Sequence, residues 1–314
     1  MPSQLKLFTG NANVSLAKEI GSRLNMQLGN IEVGRFPDAE IEIKIKENVR
    51  GCDAFIIQPT SFPANEHLME LLLIVDALKR ASARRITAVI PYYGYARADR
   101  KAEPRVPISA KLVANLLTAS GADRILTMDL HAGQIQGFFD IPVDHLYATP
   151  VFIDYFKKKK LTDLVVVSPD AGGVERARVF AKLLECDLAI VDKRRISPDS
   201  TAVMHIIGDV KKKNVLIIDD LIDTGGTLCK TCDALKEQGA LRVFSACAHG
   251  VLAGNAIEKI KNSCLEEIAI TNSIEVGNRK IKKLVVLSVA GLLSKAIRMI
   301  HEEKSVSKLF INVQ

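Results

Sequence analysis

Asn214-Val-Leu-Ile-Ile-Asp219-Asp220-Leu-Ile-Asp223-Thr224-Gly225-Gly226-Thr227-Leu228 is the stretch whose reading decides the fold. Its first half is a continuous apolar run, the signature of a strand buried on both faces of a parallel sheet. Two carboxylates close the strand, a glycine turn follows, and a helical pattern runs from Thr227 to Gln238. Glycines let backbone amides approach a ligand with no side chain in the way. A helix N-terminus offers N–H groups and the positive end of a dipole, and two Thr hydroxyls add donors. Together these make a cradle for a phosphate monoester. It is not a Walker loop, since no Gly-Lys-Ser/Thr follows the glycines. Asp219 and Asp220 are placed to accept hydrogen bonds from sugar hydroxyls or to hold a metal. An ordinary helix capped by Thr224 or Thr227 would account for a Thr and one glycine. It would not account for paired carboxylates at the end of an apolar strand, which are costly to bury without a partner.

The same strand–helix alternation extends in both directions. Strands are expected at Gln4–Phe8, Ile41–Ile45, Ala54–Ile57, Ile86–Ile90, Arg124–Met128, Leu164–Val167, Leu188–Val191, Val215–Asp219, Val243–Cys247, Glu267–Ile270 and Leu284–Leu287. Helical patterns lie between them, at Ser15–Leu24, Asn65–Ser82, Ser109–Ser120, Pro150–Lys159, Gly173–Leu184, Thr227–Gln238, Asn255–Asn262 and Val289–Glu303, with Gly121 and Gly239 as C-terminal stops. Alternation of this kind implies right-handed βαβ units. It runs twice, on either side of residues 142–150, so two α/β domains are expected, 1–147 and 148–314, each a mainly parallel sheet flanked by helices. Such sheets bind ligands beyond the carboxyl ends of their strands.

Composition sets the limits. At 314 residues, 48% hydrophobic and 25% charged, the chain can bury a sizeable core without disulfide or metal staples. The longest uncharged apolar stretch, Leu284–Leu293, falls short of the roughly 20 residues that span a bilayer, and Met1–Asn11 lacks the apolar core of a signal peptide. A cytoplasmic protein with no membrane partner is expected. Lys plus Arg number 43 against 36 Asp plus Glu, a net +7, which suits nucleotides or sugar phosphates. With no Trp and 5% aromatics there is no base-stacking stripe, so a nucleic-acid partner is not expected. The runs Lys157–Lys160 and Lys211–Lys213 read as solvated turns. Of six cysteines, only Cys229 and Cys232 are closely spaced. A lone C-x-x-C is a weak zinc or redox signal and reads as two small apolar residues on a helix face.

The loop at 219–227 resembles the phosphoribosyl diphosphate motif of phosphoribosyltransferases and of ribose-phosphate diphosphokinases. Gly34-Arg-Phe-Pro-Asp-Ala-Glu40, Pro91-Tyr-Tyr-Gly-Tyr-Ala-Arg-Ala-Asp-Arg-Lys101, Pro107-Ile-Ser-Ala-Lys-Leu-Val-Ala-Asn115, Thr127-Met-Asp-Leu-His-Ala-Gly-Gln-Ile-Gln-Gly-Phe-Phe139, Val167-Ser-Pro-Asp-Ala-Gly-Gly173, Asp192-Lys-Arg-Arg195 and the tail Ser305–Phe310 are similar, in order, to the bacterial-type class I diphosphokinase family. The resemblance spans essentially the whole chain. It implies two phosphoribosyltransferase-like domains and transfer of the β,γ-diphosphoryl group of ATP to the 1-hydroxyl of ribose 5-phosphate, with Mg²⁺ as cofactor. A phosphoribosyltransferase would share the loop but need none of the other motifs. A non-catalytic regulatory relative should have lost the basic residues this chain keeps.

Each further motif has a bland reading beside the functional one. Arg97, Arg100 and Lys101 form a basic loop that solvation explains as well as a triphosphate does; the resemblance assigns Arg97 and Ala98 to ATP, Ala98 at most through its backbone because the family usually has Gln there. Phe36, Asp38 and Glu40 read alone as a polar hairpin with one apolar anchor; the resemblance assigns Phe36, Asp38, Ala39 and Glu40 to adenosine, reached from a neighbouring subunit. Ala39 replaces a common Gly, so this turn is expected to avoid the left-handed conformation. A lone His131 is more often structural, and Asp170 reads as a helix cap; the resemblance makes both ligands of Mg²⁺. Lys193 and Arg195 read as an exposed mobile loop and, by resemblance, as the catalytic loop. Asp219, Asp220, Asp223, Thr224, Gly225, Gly226 and Thr227, with Arg195, are implied to bind ribose 5-phosphate. The family also implies a homohexamer with phosphate as activator and ADP as inhibitor, in regions matching Arg50, Arg105, Ser109, Gln136 and the 305–310 tail, with Gly133 replacing a Ser.

Overall fold

A computed structural model describes residues 3–194, 203–277, 279 and 281–309. The described residues divide into two units, one holding those within 3–147, 273–275 and 288–309, the other those within 148–272 and 276–287. The division is not a single cut. The helix at Ala290–His301, drawn with the C-terminal half in the sequence reading, belongs to the first unit.

The first unit is built on five parallel strands in the order β1 (Leu5–Thr9), β4 (Asp53–Ile57), β5 (Arg85–Ile90), β6 (Arg124–Met128) and β7 (Val143–Leu146). An antiparallel hairpin, β2 (Ile31–Arg35) with β3 (Ile41–Ile45), forms a separate sheet. Helices α1 (Val14–Leu24), α2 (Ala64–Arg80) and α3 (Ser109–Ser120) make the crossovers, and α8 (Ala290–His301) packs against α1. The contact follows from sequence. Leu293, Ala296, Ile297 and Ile300 recur at helical spacing and are buried, as are Leu16, Ala17 and Ile20. A polar clasp secures the far end of α8. Asp53, 1% exposed, takes Arg85 Nε at 2.8 Å and His301 Nδ1 at 2.8 Å, while Arg85 also donates to the Ile300 carbonyl at 3.0 Å.

The second unit has seven strands in the order β10 (Val203–Ile207), β9 (Asp187–Arg194), β8 (Leu164–Ser168), β11 (Asn214–Ile222), β12 (Arg242–Gly250), β13 (Glu267–Thr271) and β14 (Leu284–Leu287). All pair in parallel except β10, which is antiparallel to β9. Helices α4 (Thr149–Lys159), α5 (Val174–Leu184), α6 (Gly226–Glu237) and α7 (Ala256–Asn262) complete it. The expected α/β class of two phosphoribosyltransferase-like units with mainly parallel, helix-flanked sheets is what the chain adopts.

Several local expectations are corrected. Strands β2, β7 and β10 were not expected: β2 alternates half-buried with exposed residues around Gly34, β7 is only four residues, and β10 pairs only at the sheet edge. Lys157–Lys159 form the last turn of α4, where the expected Pro150–Lys159 helix ends, and cations there meet the negative end of the helix dipole; only Lys160 lies beyond it. Cys229 and Cys232 do lie on α6, but Cys232 is disulfide-bonded to Cys264. The sequence spacing concealed that pair because its members are 32 residues apart.

Candidate active site

Strand order locates a crevice. In the second sheet the chain leaves β8 toward β9 on one side, while β11 leads to β12 on the other. Loops diverge at such a switch point, and ligands bind there in open α/β sheets. Strands β8 and β11 are neighbours, with Val167 opposite Ile217. Their carboxyl ends therefore bring together Asp170 and the 219–227 segment. The first sheet runs β4, β5, β6, β7 in chain order and has no such reversal.

Strand β11 continues to Ile222, three residues beyond the expected end, and carries both carboxylates within it. Asp220 is 6% exposed, and its N–H donates to Asp219 Oδ1 at 2.9 Å. Burial, and then the neighbouring Asp220 carboxylate, push the Asp219 carboxyl up to about 8. Arg176, on α5, lies 3.4 Å from Asp220 Oδ1 and supplies the cation that a buried carboxylate needs. Sequence reasoning missed Arg176. The signal was the carboxylate pair itself, which demands a partner from a flanking helix.

The glycine turn is held from behind. Gly225 has φ +72° and caps α6 with no side-chain hydrogen bond, so neither Thr224 nor Thr227 is the helix cap. Asp223 and Ile222 accept at their carbonyls from Ala253 and Leu252 N–H, each at 3.0 Å, and Lys259 on α7 donates to the Thr224 carbonyl at 3.3 Å. The loop is thus braced by the segment after β12, which sequence alone did not indicate. Asp170 Oδ1 accepts from Gly173 N at 3.0 Å, bracing the turn into α5.

The first unit carries the other candidates. Phe36, Asp38, Ala39 and Glu40 share the tip of the β2–β3 hairpin, and Phe36 is 45% exposed. Ala39 adopts φ +72°, which overturns the expectation that it avoids the left-handed region. Its N–H donates to the Phe36 carbonyl at 2.9 Å while Phe36 N donates to Glu40 O at 2.8 Å; closing so short a loop forces the positive φ. Asp38 braces the turn by accepting from Glu40 N at 3.1 Å. Exposed Arg97 follows β5 and exposed His131 follows the adjacent β6, so both lie at one edge of that sheet. Ala98 uses its backbone internally, donating to Tyr95 O at 3.0 Å and accepting from Ala110 N at 3.2 Å. Lys193 lies on β9, its backbone paired with Met204, rather than on a loop. Arg195 lies outside the described residues. Among the described residues no three His, Cys, Asp or Glu side chains converge as a closed metal cage. Mg²⁺ keeps several waters and is held by one or two carboxylates together with substrate phosphates; Asp170 presents one exposed carboxylate.

A paired carboxylate and a braced Asp-Thr-Gly-Gly-Thr turn thus meet at the sheet reversal of an α/β protein. The model of the N-terminal domain of ribose phosphate pyrophosphokinase matches residues 5–121, and that of the phosphoribosyl synthetase-associated domain matches residues 193–311. The ribose-phosphate pyrophosphokinase of Bacillus caldolyticus is 56% identical over 308 residues, covering 98% of each chain. That of Corynebacterium ammoniagenes is 55% identical over 309 residues, again with 98% of each covered. The crystal structure of phosphoribosylpyrophosphate synthetase from Mycobacterium smegmatis superposes with a TM-score of 0.91 at 42% identity, over 96% of this chain and all of that one. The chain belongs to the ribose-phosphate pyrophosphokinase family and is an enzyme of that family.

Proposed function

We propose that this chain performs its family's reaction with the residues gathered above: the β,γ-diphosphoryl group of ATP passes to the 1-hydroxyl of ribose 5-phosphate, giving 5-phospho-α-D-ribose 1-diphosphate and AMP. The observation that carries the assignment is the braced turn at the sheet reversal. Asp223 to Thr227 hold the 5-phosphate against backbone donors at the start of α6. Asp219 and Asp220 accept from the 2- and 3-hydroxyls, with Arg176 facing Asp220 at 3.4 Å. The pair orients the sugar while the anomeric oxygen attacks the β phosphorus in line with departing AMP.

Phe36, Asp38, Ala39 and Glu40 contact adenosine, and Arg97 pairs with the triphosphate, Ala98 serving as the backbone link to α3. Lys193 and Arg195 neutralise the transferred group, Arg195 also reaching the sugar phosphate. His131 and Asp170 hold Mg²⁺, which, when bound, offsets charge on the phosphate oxygens. The enzyme works in the cytoplasm as a homohexamer, activated by phosphate and inhibited by ADP. Arg50 and the 305–310 tail contribute to that response; Arg50 donates to Ser82 Oγ at 3.3 Å.

Steady-state turnover with ATP, ribose 5-phosphate and Mg²⁺, read as AMP release, tests the reading. AMP formed only with both substrates is expected. Consumption of the diphosphate with a nucleobase instead would overturn it. Asp223→Ala should raise KM for ribose 5-phosphate on the order of 10²-fold and leave KM for ATP nearly unchanged; equal rises would count against the phosphate cradle.

A further inference from the structure

Three of the six cysteines meet behind the phosphate turn. Cys232 on α6 is joined to Cys264, which follows α7, with Cα atoms 6.3 Å apart, inside the range that a disulfide spans without backbone movement. Cys229, one turn earlier on α6, faces the Ser263 hydroxyl beside Cys264. Cys232 is fully buried, and Cys264 is half-buried. Asp233 Oδ1 lies 3.5 Å from the Cys264 sulfur, so an S–H there would find an acceptor in place. The same packing therefore suits the dithiol and the disulfide.

What the pair joins gives it consequence. Helix α7 is seven residues long, too short to hold itself in shape. It is nevertheless the back wall of the turn. Lys259 donates to the Thr224 carbonyl, and a Cβ built on Gly225 would lie 3.5 Å from the Ala256 carbonyl. Closing the 232–264 bond ties the far end of α7 to α6, the helix whose first turn receives the phosphate.

We propose that Cys232 and Cys264 form a reversible thiol–disulfide site, exchanging with low-molecular-weight thiols and disulfides, whose oxidised form preorganises the turn for ribose 5-phosphate. This rests on the reading of the turn given above. In the oxidising direction the more exposed Cys264 thiolate attacks one sulfur of RS–SR, the S–S bond breaks and RS⁻ leaves. The Cys232 thiolate then attacks the Cys264 sulfur of the mixed disulfide and expels the second RS⁻. Two electrons pass from the protein to RS–SR, and the two cysteine protons end on two RSH. Reduction is the reverse. Cys229 stays outside the exchange, since the bond joins Cys232 to Cys264. Disulfides of intracellular enzymes are usually of this exchanging kind.

The test uses the full chain, equilibrated either with oxidised glutathione or with dithiothreitol. A non-reducing peptide map should show the Cys232–Cys264 linkage in the first sample and not in the second. KM for ribose 5-phosphate should be about three- to tenfold higher in the reduced enzyme, with KM for ATP unmoved. Cys264→Ser should match the reduced enzyme in both conditions; the wild-type pair of measurements stands if that variant fails to fold. Absence of the linkage under the oxidant, or an equal KM in both states, overturns the proposal. Failure of the phosphate-turn reading looks different, since Asp223→Ala would then leave the ribose 5-phosphate KM unchanged whatever the peptide map shows.

Discussion

Gly225 and Ala39 share one backbone conformation, φ +72°, in the two units of this chain. At Gly225 the turn meets a phosphate in the proposed site and is walled by Ala256 and Lys259. At Ala39 the turn tips an exposed hairpin and is closed by its own hydrogen bonds. Glycine reaches the left-handed region without cost, whereas an L residue there costs about 1–2 kcal/mol. The chain keeps glycine at the turn of the proposed site and tolerates a Cβ where the turn faces solvent. A swap of the two residue types should therefore have opposite signs at the two positions.

Gly225→Ala is the larger effect. The added Cβ would meet Ala256 O at 3.5 Å and Ala256 Cα at 3.7 Å, both ordinary contacts, so the backbone rather than crowding resists the change. Relief comes by moving the turn, which misplaces its amides. KM for ribose 5-phosphate should rise on the order of tenfold, the equivalent of about 1.4 kcal/mol. A KM within error of wild type would show that the positive φ is not needed for binding and would dissolve the contrast with Ala39.

Protonation sharpens the comparison, because only the Gly225 turn sits beside coupled carboxylates. The Asp219 carboxyl is raised to about 8 from an ordinary 3.8. Between those values the folded protein holds a proton that the unfolded chain has lost, so stability falls as pH rises through that window. Asp219→Asn has no such proton. Its thermal midpoint should match wild type near pH 4 and exceed it by about 5 °C at pH 8.5. A gap that is constant with pH would mean that Asp219 ionises freely, and that neither burial nor the neighbouring Asp220 raises it.

These two turns also mark how far the sequence could be read. The 214–228 run was legible because a buried strand, two acids and two glycines each break a local preference unless a ligand is served. The β2–β3 hairpin was recognisable by resemblance alone, since Phe36, Asp38 and Glu40 on a polar turn carry no such conflict. Strand β10 was illegible because an edge strand has one partner and a weak burial pattern. Arg176, Lys259 and the Cys232–Cys264 pair escaped for another reason: each acts on residues brought near by sheet order, 32 to 44 positions away in sequence. Periodicity reports local geometry and says nothing of such partners.

Ala39→Gly is the smallest change and the cleanest reversal. Removing the Cβ relieves a left-handed penalty of about 1–2 kcal/mol. The added freedom of glycine in the unfolded chain returns about 0.5–1 kcal/mol of that. The balance is a net stabilisation of about 0.5–1 kcal/mol, or about 1–3 °C in the thermal midpoint. The hydrogen bonds from Ala39 N to Phe36 O and from Phe36 N to Glu40 O need no side chain at position 39, so the turn keeps its shape. KM for ATP should hold steady, because Phe36, Asp38 and Glu40 remain presented by the same closure. A lowered midpoint would mean that the Ala39 methyl makes a contact worth more than its strain, and the two turns would then differ in packing rather than in conformational cost.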